Sequence, residues 1–174
     1  GITTGGATIT PSSYSFNATA GFSIIAYTGT GTAGTLPHGL GVAPQAIWVK
    51  RLDSSAGWCT YFENDGEGYY QRLNTDGNRT SDSNIWNNTA PTTNLFSVGT
   101  DTDVNGSSAT YIAYCFASIQ GYCRIGRYRG NSSSNGAFIY TGFRPQTIII
   151  KEQSSTKNWF YFNDKRLGYN GGNR

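Results

Sequence analysis

The chain holds one histidine, His38, in the turn-like segment 36–41, LPHGLG. A Ser-His-Asp or Cys-His site would need this imidazole as its general base. General-base catalysis also needs a partner that tunes and orients the ring, and the sequence indicates none. We therefore interpret His38 as a structural turn residue and predict neither an enzyme nor a cofactor.

Three carboxylates alternate at Glu63, Asp65 and Glu67. Paired carboxylates can hydrolyse glycosidic bonds, which keeps a glycosidase as a weaker hypothesis. The glycines at 66 and 68 favour a solvated hairpin tip instead.

An acidic segment at 101–106, DTDVNG, matches the opening of a calcium-binding loop through Asp101, Asp103 and Asn105. The twelfth position of such a loop is a bidentate Glu, whereas here it is Ile112. A turn ending in Asn-Gly explains the same residues. We expect no metal site, with calcium at these three positions as the alternative.

The chain has three cysteines, Cys59, Cys115 and Cys123, and their spacing fits neither a CxxC motif nor a zinc site. We expect buried, reduced thiols that pack as small hydrophobic groups. One disulfide within the chain is the alternative.

Several aromatic residues flank polar turns, among them Tyr61, Tyr69, Tyr70 and Trp86. Aromatic faces bordered by Asn, Asp and Gln suit sugar rings, which present CH faces and hydroxyl edges. These four are the candidate glycan-binding residues. The alternative is that they fill a core that lacks Met.

The composition restricts the class of protein. Charged residues make up 13% of the 174 residues, aromatic residues 14%, and the net charge is +3. The basic residues are scattered and no nucleic-acid motif accompanies them, so we predict no nucleic-acid partner. No 18-residue apolar run exists, so we predict no membrane insertion. Abundant aromatic and β-branched residues between Gly-rich turns predict an all-β fold.

The sequence repeats itself without a gap at an offset of 101 residues. Segments 24–58 and 125–159 share ten identities in 35 positions. We predict tandem antiparallel β-sandwich units, the second of them incomplete. The expected domains are a polar lead-in from an upstream domain at 1–21, a first unit at 22–121 and a truncated second unit at 122–174.

Strand candidates follow from β-branched and aromatic runs bounded by Gly, Pro, Asn and Asp. Segments 45–51, 110–119 and 146–152 are apolar at both faces, which predicts central strands of a sandwich, covered on both sides. The other candidates are 22–28, 58–63, 69–73, 94–98, 122–129, 137–141 and 158–163.

The repeated residues carry a resemblance to a known family. The matching positions are His38, Gly39, Gly41, Pro44, Lys50 and Trp58, with Pro145, Lys151 and Trp159 in the second half. This pattern resembles a domain of tail-fibre-like and other virion-associated proteins of bacteriophages, notably marine and cyanobacterial ones. Members of that family usually lie downstream of a lectin-like jelly-roll domain. The matching residues are expected to be structural, since the family has no established catalytic residues.

The resemblance implies a non-enzymatic virion surface protein, either a tail-fibre or a decoration module. Its expected partners are other copies of itself in a homo-oligomer, other virion proteins and host-surface polysaccharide. The alternative is a cellular adhesin or extracellular filament subunit assembled from tandem β units.

Overall fold

The computed structural model describes residue 2 and residues 5–165, and strands dominate its secondary structure. The strands are β1 (Ser13–Asn17), β2 (Phe22–Thr28), β3 (Gly34–Pro37), β4 (Ala46–Arg51), β5 (Trp58–Phe62), β6 (Tyr69–Arg72), β7 (Thr80–Ser81), β8 (Leu95–Val98), β9 (Thr110–Phe116), β10 (Thr147–Ile150) and β11 (Phe160–Asn163). Two helical turns, α1 (Ser83–Trp86) and α2 (Thr102–Asn105), and a 3₁₀ turn at Glu63–Asp65 complete the described elements. The all-β class is confirmed.

Seven strands form one antiparallel sheet in the order β1-β2-β9-β4-β5-β6-β7. Strand β9 is the third of the seven and pairs with the whole of β2 from Phe22↔Phe116 to Thr28↔Thr110. Its other edge pairs with β4. Segments 45–51 and 110–119 therefore supply interior strands of the sheet, but only one of their faces is fully buried, because Trp48, Ile112 and Tyr114 on the other face are half-buried.

One face of this sheet carries the core. Alternate residues of β2, β4 and β9 point to that face and are buried, as the two-residue period of a strand requires. A second layer covers them, built from the β3–β8 pair and the two helical turns. Its buried side chains are Leu36, Phe96, Val98, Ile85, Trp86 and Val104.

The second half of the chain differs from the expectation. Strands β10 and β11 form a separate two-stranded sheet, so segment 146–152 is not central among the described strands. Segments 122–129 and 137–141 form no strand; only Cys123 makes an isolated bridge, to Ile119. At the offset of 101, segment 123–129 corresponds to β2, which depends on β9 for its neighbour. No described strand from 122 to 165 supplies that neighbour.

Two boundaries also differ. Strand β1 lies within the expected lead-in 1–21, yet it pairs with β2 from Ser13↔Ala26 to Asn17↔Phe22 and forms an edge of the large sheet. The end of the expected second unit, residues 166–174, lies outside the described residues.

Candidate functional site

His38 is buried at the end of β3, against the segment that precedes β8. Its Nε2 lies 3.1 Å from the carbonyl oxygen of Thr92, and its Nδ1 accepts a hydrogen bond of 3.2 Å from the Leu40 N–H. These contacts place the proton of the neutral ring on Nε2. Burial lowers the pKa of His38. The ring therefore joins two loops through backbone groups.

Two glycines beside His38 set the turn. Gly39 and Gly41 have φ angles of +73° and +72°, in the left-handed region that favours glycine. A Cβ on Gly39 would also lie 2.9 Å from the Phe16 ring. The structure thus gives the His38 motif a turn-forming role.

The four expected glycan-binding residues do not share one surface. Tyr61 and Trp86 are buried in the core, where their rings meet edge-on with centroids 5.9 Å apart. A sugar could not reach either ring in this structure. Tyr69 and Tyr70 are half-buried on β6, close to the edge of the large sheet.

Basic side chains accompany those two tyrosines. The Arg79 guanidinium lies 4.2 Å from the ring centroid of Tyr69, and that of Arg72 lies 5.5 Å from the ring centroid of Tyr70. Both distances are within the range of cation–π attraction. We call Tyr69 and Arg79 the Tyr–Arg edge, because Tyr70 and Arg72 lie on the opposite side of β6, where Tyr70 packs against the core and Arg72 pairs with Asp103. It combines an aromatic face with hydrogen-bond donors, the combination that can bind sugars or anions.

The three carboxylates at 63–67 lie in different environments. Asp65 is buried, and its two oxygens accept from Gln71 Nε2 at 3.2 Å and from Gln153 Nε2 at 2.6 Å. Burial raises the pKa of Asp65. Glu63 and Glu67 are not buried. Asp65 therefore links the first half of the chain to the loop between β10 and β11.

The residues of the calcium alternative are already engaged with the protein. Asp101 caps α2 by accepting from the Asp103 N–H at 2.7 Å, and Asp103 forms an ion pair of 2.6 Å with Arg72. Asn105 is buried, and its amide donates to the carbonyls of Thr32 and Gly99. Residues 102–105 form a helical turn rather than a hairpin turn. Among the described residues, no group of three His, Cys, Asp or Glu side chains could hold a metal ion.

The three cysteines are free thiols, as expected. Cys59 and Cys115 are buried, whereas Cys123 is half-buried. Burial raises the pKa of Cys59 and of Cys115 to about 12. Thiols with such pKa values are poor nucleophiles at neutral pH.

The two lysines of the repeated motif cap the loops that follow their strands. Lys50 Nζ donates to the carbonyl of Arg51, and Lys151 Nζ donates to the carbonyl of Glu152 at 2.9 Å. Arg51 and Glu152 are themselves related by the offset of 101. Lys151 also donates to the carbonyls of Lys157 and Asp76. The motif lysines therefore stabilise the hairpin loops.

The two tryptophans of the motif make different contacts. Trp58 packs near Tyr114 on the face of the sheet opposite the core. Trp159 packs near Phe62, and its Nε1 donates to the carbonyl of Arg72 at 3.1 Å. The second tryptophan therefore fixes the β10–β11 hairpin to the first half of the chain.

These features define an all-β protein whose motif residues hold turns, loops and packing contacts. No helix among the described residues is long and apolar enough to cross a membrane. The chain belongs to the family described as a domain of unknown function, DUF7483, whose model matches residues 2–174. Comparisons with curated proteins and with solved structures gave no match.

Proposed function

We propose that the chain is a non-enzymatic structural module of a bacteriophage virion surface protein, in a tail fibre or a capsid decoration. The proposal combines the resemblance of the repeated motif with one structural observation, the recurrence of a hairpin at an offset of 101 residues. Units that recur along a chain build extended assemblies, because each unit stacks on its neighbour.

The recurrence extends to the pairing register. Strands β4 and β5 pair from Ala46↔Phe62 to Lys50↔Trp58. Strands β10 and β11 pair from Thr147↔Asn163 to Ile150↔Phe160. Adding 101 to the first pairing, Ala46↔Phe62, gives Thr147↔Asn163. The sequence identities therefore coincide with the same local structure, which supports the interpretation as tandem β units.

The site for a host ligand in this proposal is the Tyr–Arg edge. The exposed part of Tyr69 offers a flat face for sugar CH groups, and the Arg79 guanidinium offers donors for hydroxyl or carboxylate oxygens. This combination favours an acidic polysaccharide of the host envelope.

Immuno-electron microscopy of native source material tests the virion assignment. An antibody raised against this chain should label the tails or capsids of phage particles, and the labelled position would distinguish a fibre from a decoration. Label along filaments without phage particles would contradict the proposal and support a cellular filament or adhesin subunit.

A glycan array tests the ligand separately. We expect the chain to bind acidic host polysaccharide and the Tyr69→Ala variant to lose at least tenfold in affinity. Tyr122→Ala is the matched control, because Tyr122 is an exposed tyrosine outside the Tyr–Arg edge. Equal binding by both variants would exclude the Tyr–Arg edge as the ligand site.

A further inference from the structure

The two hairpins agree in hydrogen bonds as well as in register. The carbonyl of Gln45 accepts from the Glu63 N–H at 2.9 Å, and that of Gln146 accepts from the Asp164 N–H at 3.0 Å. Both pairs of residues are related by the offset of 101. The strand that pairs with the first hairpin therefore indicates the kind of strand that can pair with the second.

In the first half, strand β9 occupies the edge of β4 that faces away from β5. Six residue pairs join β9 to β4, from Ala46↔Phe116 to Arg51↔Tyr111. With β9 in place and the second layer above it, Ile47 and Val49 are 1% and 0% exposed. The β4–β5 hairpin is thus buried by its neighbours.

In the second half, the corresponding edge of β10 has no strand paired to it among residues 5–165. Backbone groups alternate in direction along an antiparallel strand, and Gln146 points toward β11. The N–H and C=O groups of Thr147 and Ile149 therefore point away from β11. Ile148, the counterpart of Ile47, is 40% exposed, and Ile149 is 42% exposed.

The chemistry of this edge suits the addition of a strand. Strand β10 reads TIII, without charge, proline or glycine, whereas natural edge strands are normally protected by such residues or by brevity. At the edges of the large sheet, β1 reads SYSFN, with three polar residues in five, and β7 has only two residues. Strand β10 is more apolar than β1 and, with four residues, longer than β7.

The first hairpin also specifies the partner. Strand β9 places the small residues Cys115 and Ala113 opposite Ile47 and Val49, and the large Tyr114 opposite Trp48. Transferred by 101 residues, the same pairing sets small side chains opposite Ile148 and Ile150, and an aromatic ring opposite Ile149. A partner strand must therefore alternate small and aromatic residues.

We propose that the outer edge of β10 binds a further antiparallel β-strand with this β9-like alternation. Main-chain hydrogen bonds to Thr147 and Ile149 supply the affinity, and the alternation supplies the register. The inference rests on the equivalence of the two hairpins, so it holds whether or not the protein comes from a virion.

The test uses the whole 174-residue chain and a labelled peptide with the β9 sequence, residues 108–118, flanked by lysines for solubility. We expect saturable binding in fluorescence anisotropy. Ile149→Lys should weaken binding at least tenfold, because it places a charge in the interface. Val42→Lys is the matched control, since Val42 is exposed and apolar but lies in a loop of the first half. A peptide of the same composition in scrambled order should not bind.

Hydrogen exchange locates the bound strand. The peptide should protect the N–H groups of Thr147 and Ile149, whereas the N–H of Ile148 already faces β11. Circular dichroism of the Ile149→Lys variant checks that the fold is retained. Absence of binding, equal binding by Ile149→Lys, or protection elsewhere would overturn the proposal. So would dimerisation through β10 alone, since a second copy would then occupy the edge.

Discussion

Tyr27 and Tyr111 stack in the core with their ring centroids 5.1 Å apart and their planes 17° from parallel. Both hydroxyls donate to carbonyl oxygens of α2, Tyr27 to Val104 and Tyr111 to Thr102, each at 2.6 Å. Burial raises the pKa of both phenols, so both remain protonated donors. The stacked pair therefore holds the helical turn α2 on the centre of the sheet.

Removal of one hydroxyl should loosen α2. The Tyr111 hydroxyl also accepts from the Gly106 N–H at 2.7 Å, so Tyr111→Phe leaves two backbone groups without this partner. We expect a loss of about 1–3 kcal/mol in the free energy of unfolding, measured in urea. Tyr122→Phe, on the surface, is the control and should unfold at the wild-type midpoint. Equal midpoints for both variants would contradict the role of the pair.

Substitution of Trp86 tests whether this residue stabilises the core or binds a ligand. Because its ring is buried against Tyr61, we expect Trp86→Ala to lower the free energy of unfolding by about 3–5 kcal/mol. Tyr69→Ala should change it by less than half as much, since Tyr69 is half-buried. Chemical denaturation of both variants measures the difference. A stable Trp86→Ala variant would return Trp86 to the candidate ligand-binding residues.

His38 predicts a pH dependence of stability. Its folded-state pKa is lowered below 6.5 by burial, so below that pH the unfolded chain binds the proton more readily. The contribution of His38 is complete above about pH 6.5 and falls as the pH drops toward the folded-state pKa. Urea unfolding between pH 7.5 and pH 5 measures this fall. The free energy of unfolding of a His38→Gln variant should fall less over this pH range. A fall equal to that of the wild type would contradict the predicted contribution of His38.

The cysteines should react in a fixed order. We expect iodoacetamide to modify the half-buried Cys123 before the buried Cys59 and Cys115, because burial keeps those two thiols protonated. Mass spectrometry of peptides after timed alkylation measures the order. In urea all three should react at similar rates. Early modification of Cys59 in the native protein would show that the core around it opens.

The two motif lysines should contribute to stability through their loops. Lys50→Met keeps the apolar stem but removes the ammonium that caps the carbonyl of Arg51. We expect a loss of about 1–3 kcal/mol in the free energy of unfolding. Lys151→Met should instead loosen the attachment of the β10–β11 loop to Asp76. Limited proteolysis of that loop, compared with a Lys165→Met control, measures the effect.

The strands that the sequence predicts well are those with long apolar runs. Segment 22–28 coincides with β2, and segment 58–63 with β5 to within one residue. Strands β1 and β3 escape sequence analysis because SYSFN and GTLP are short and rich in Ser, Gly and Pro. Both pair with a more apolar strand, β1 with β2 and β3 with β8. Segments 122–129 and 137–141 were predicted as strands but form none. Their residues favour strands, but no described strand pairs with them.

The candidate functional residues could also be predicted only in part from the sequence. His38 lies beside the turn in which the sequence analysis placed it, and both ring nitrogens contact backbone groups, those of Thr92 and Leu40. Trp86 is preceded by Asp82, which caps α1 by accepting from the Asn84 N–H at 2.8 Å. That helical turn directs the Trp86 ring into the core, although the flanking polar residues suggest a surface. Arg79 was missed as a neighbour of Tyr69, since ten residues separate them and only the pairing of β6 with β7 brings them together.

The interior place of β9 has a kinetic consequence. Strands β2 and β4 are synthesised before β9, the strand that lies between them, which ends at Phe116, 94 residues after its partner Phe22. The sheet therefore closes between β2 and β4 only when most of the first half has been synthesised. Topologies dominated by such distant pairings fold slowly. Until β9 is available, the edges of β2 and β4 that will face it are unpaired. The nascent chain is therefore most prone to aggregation during this part of its synthesis.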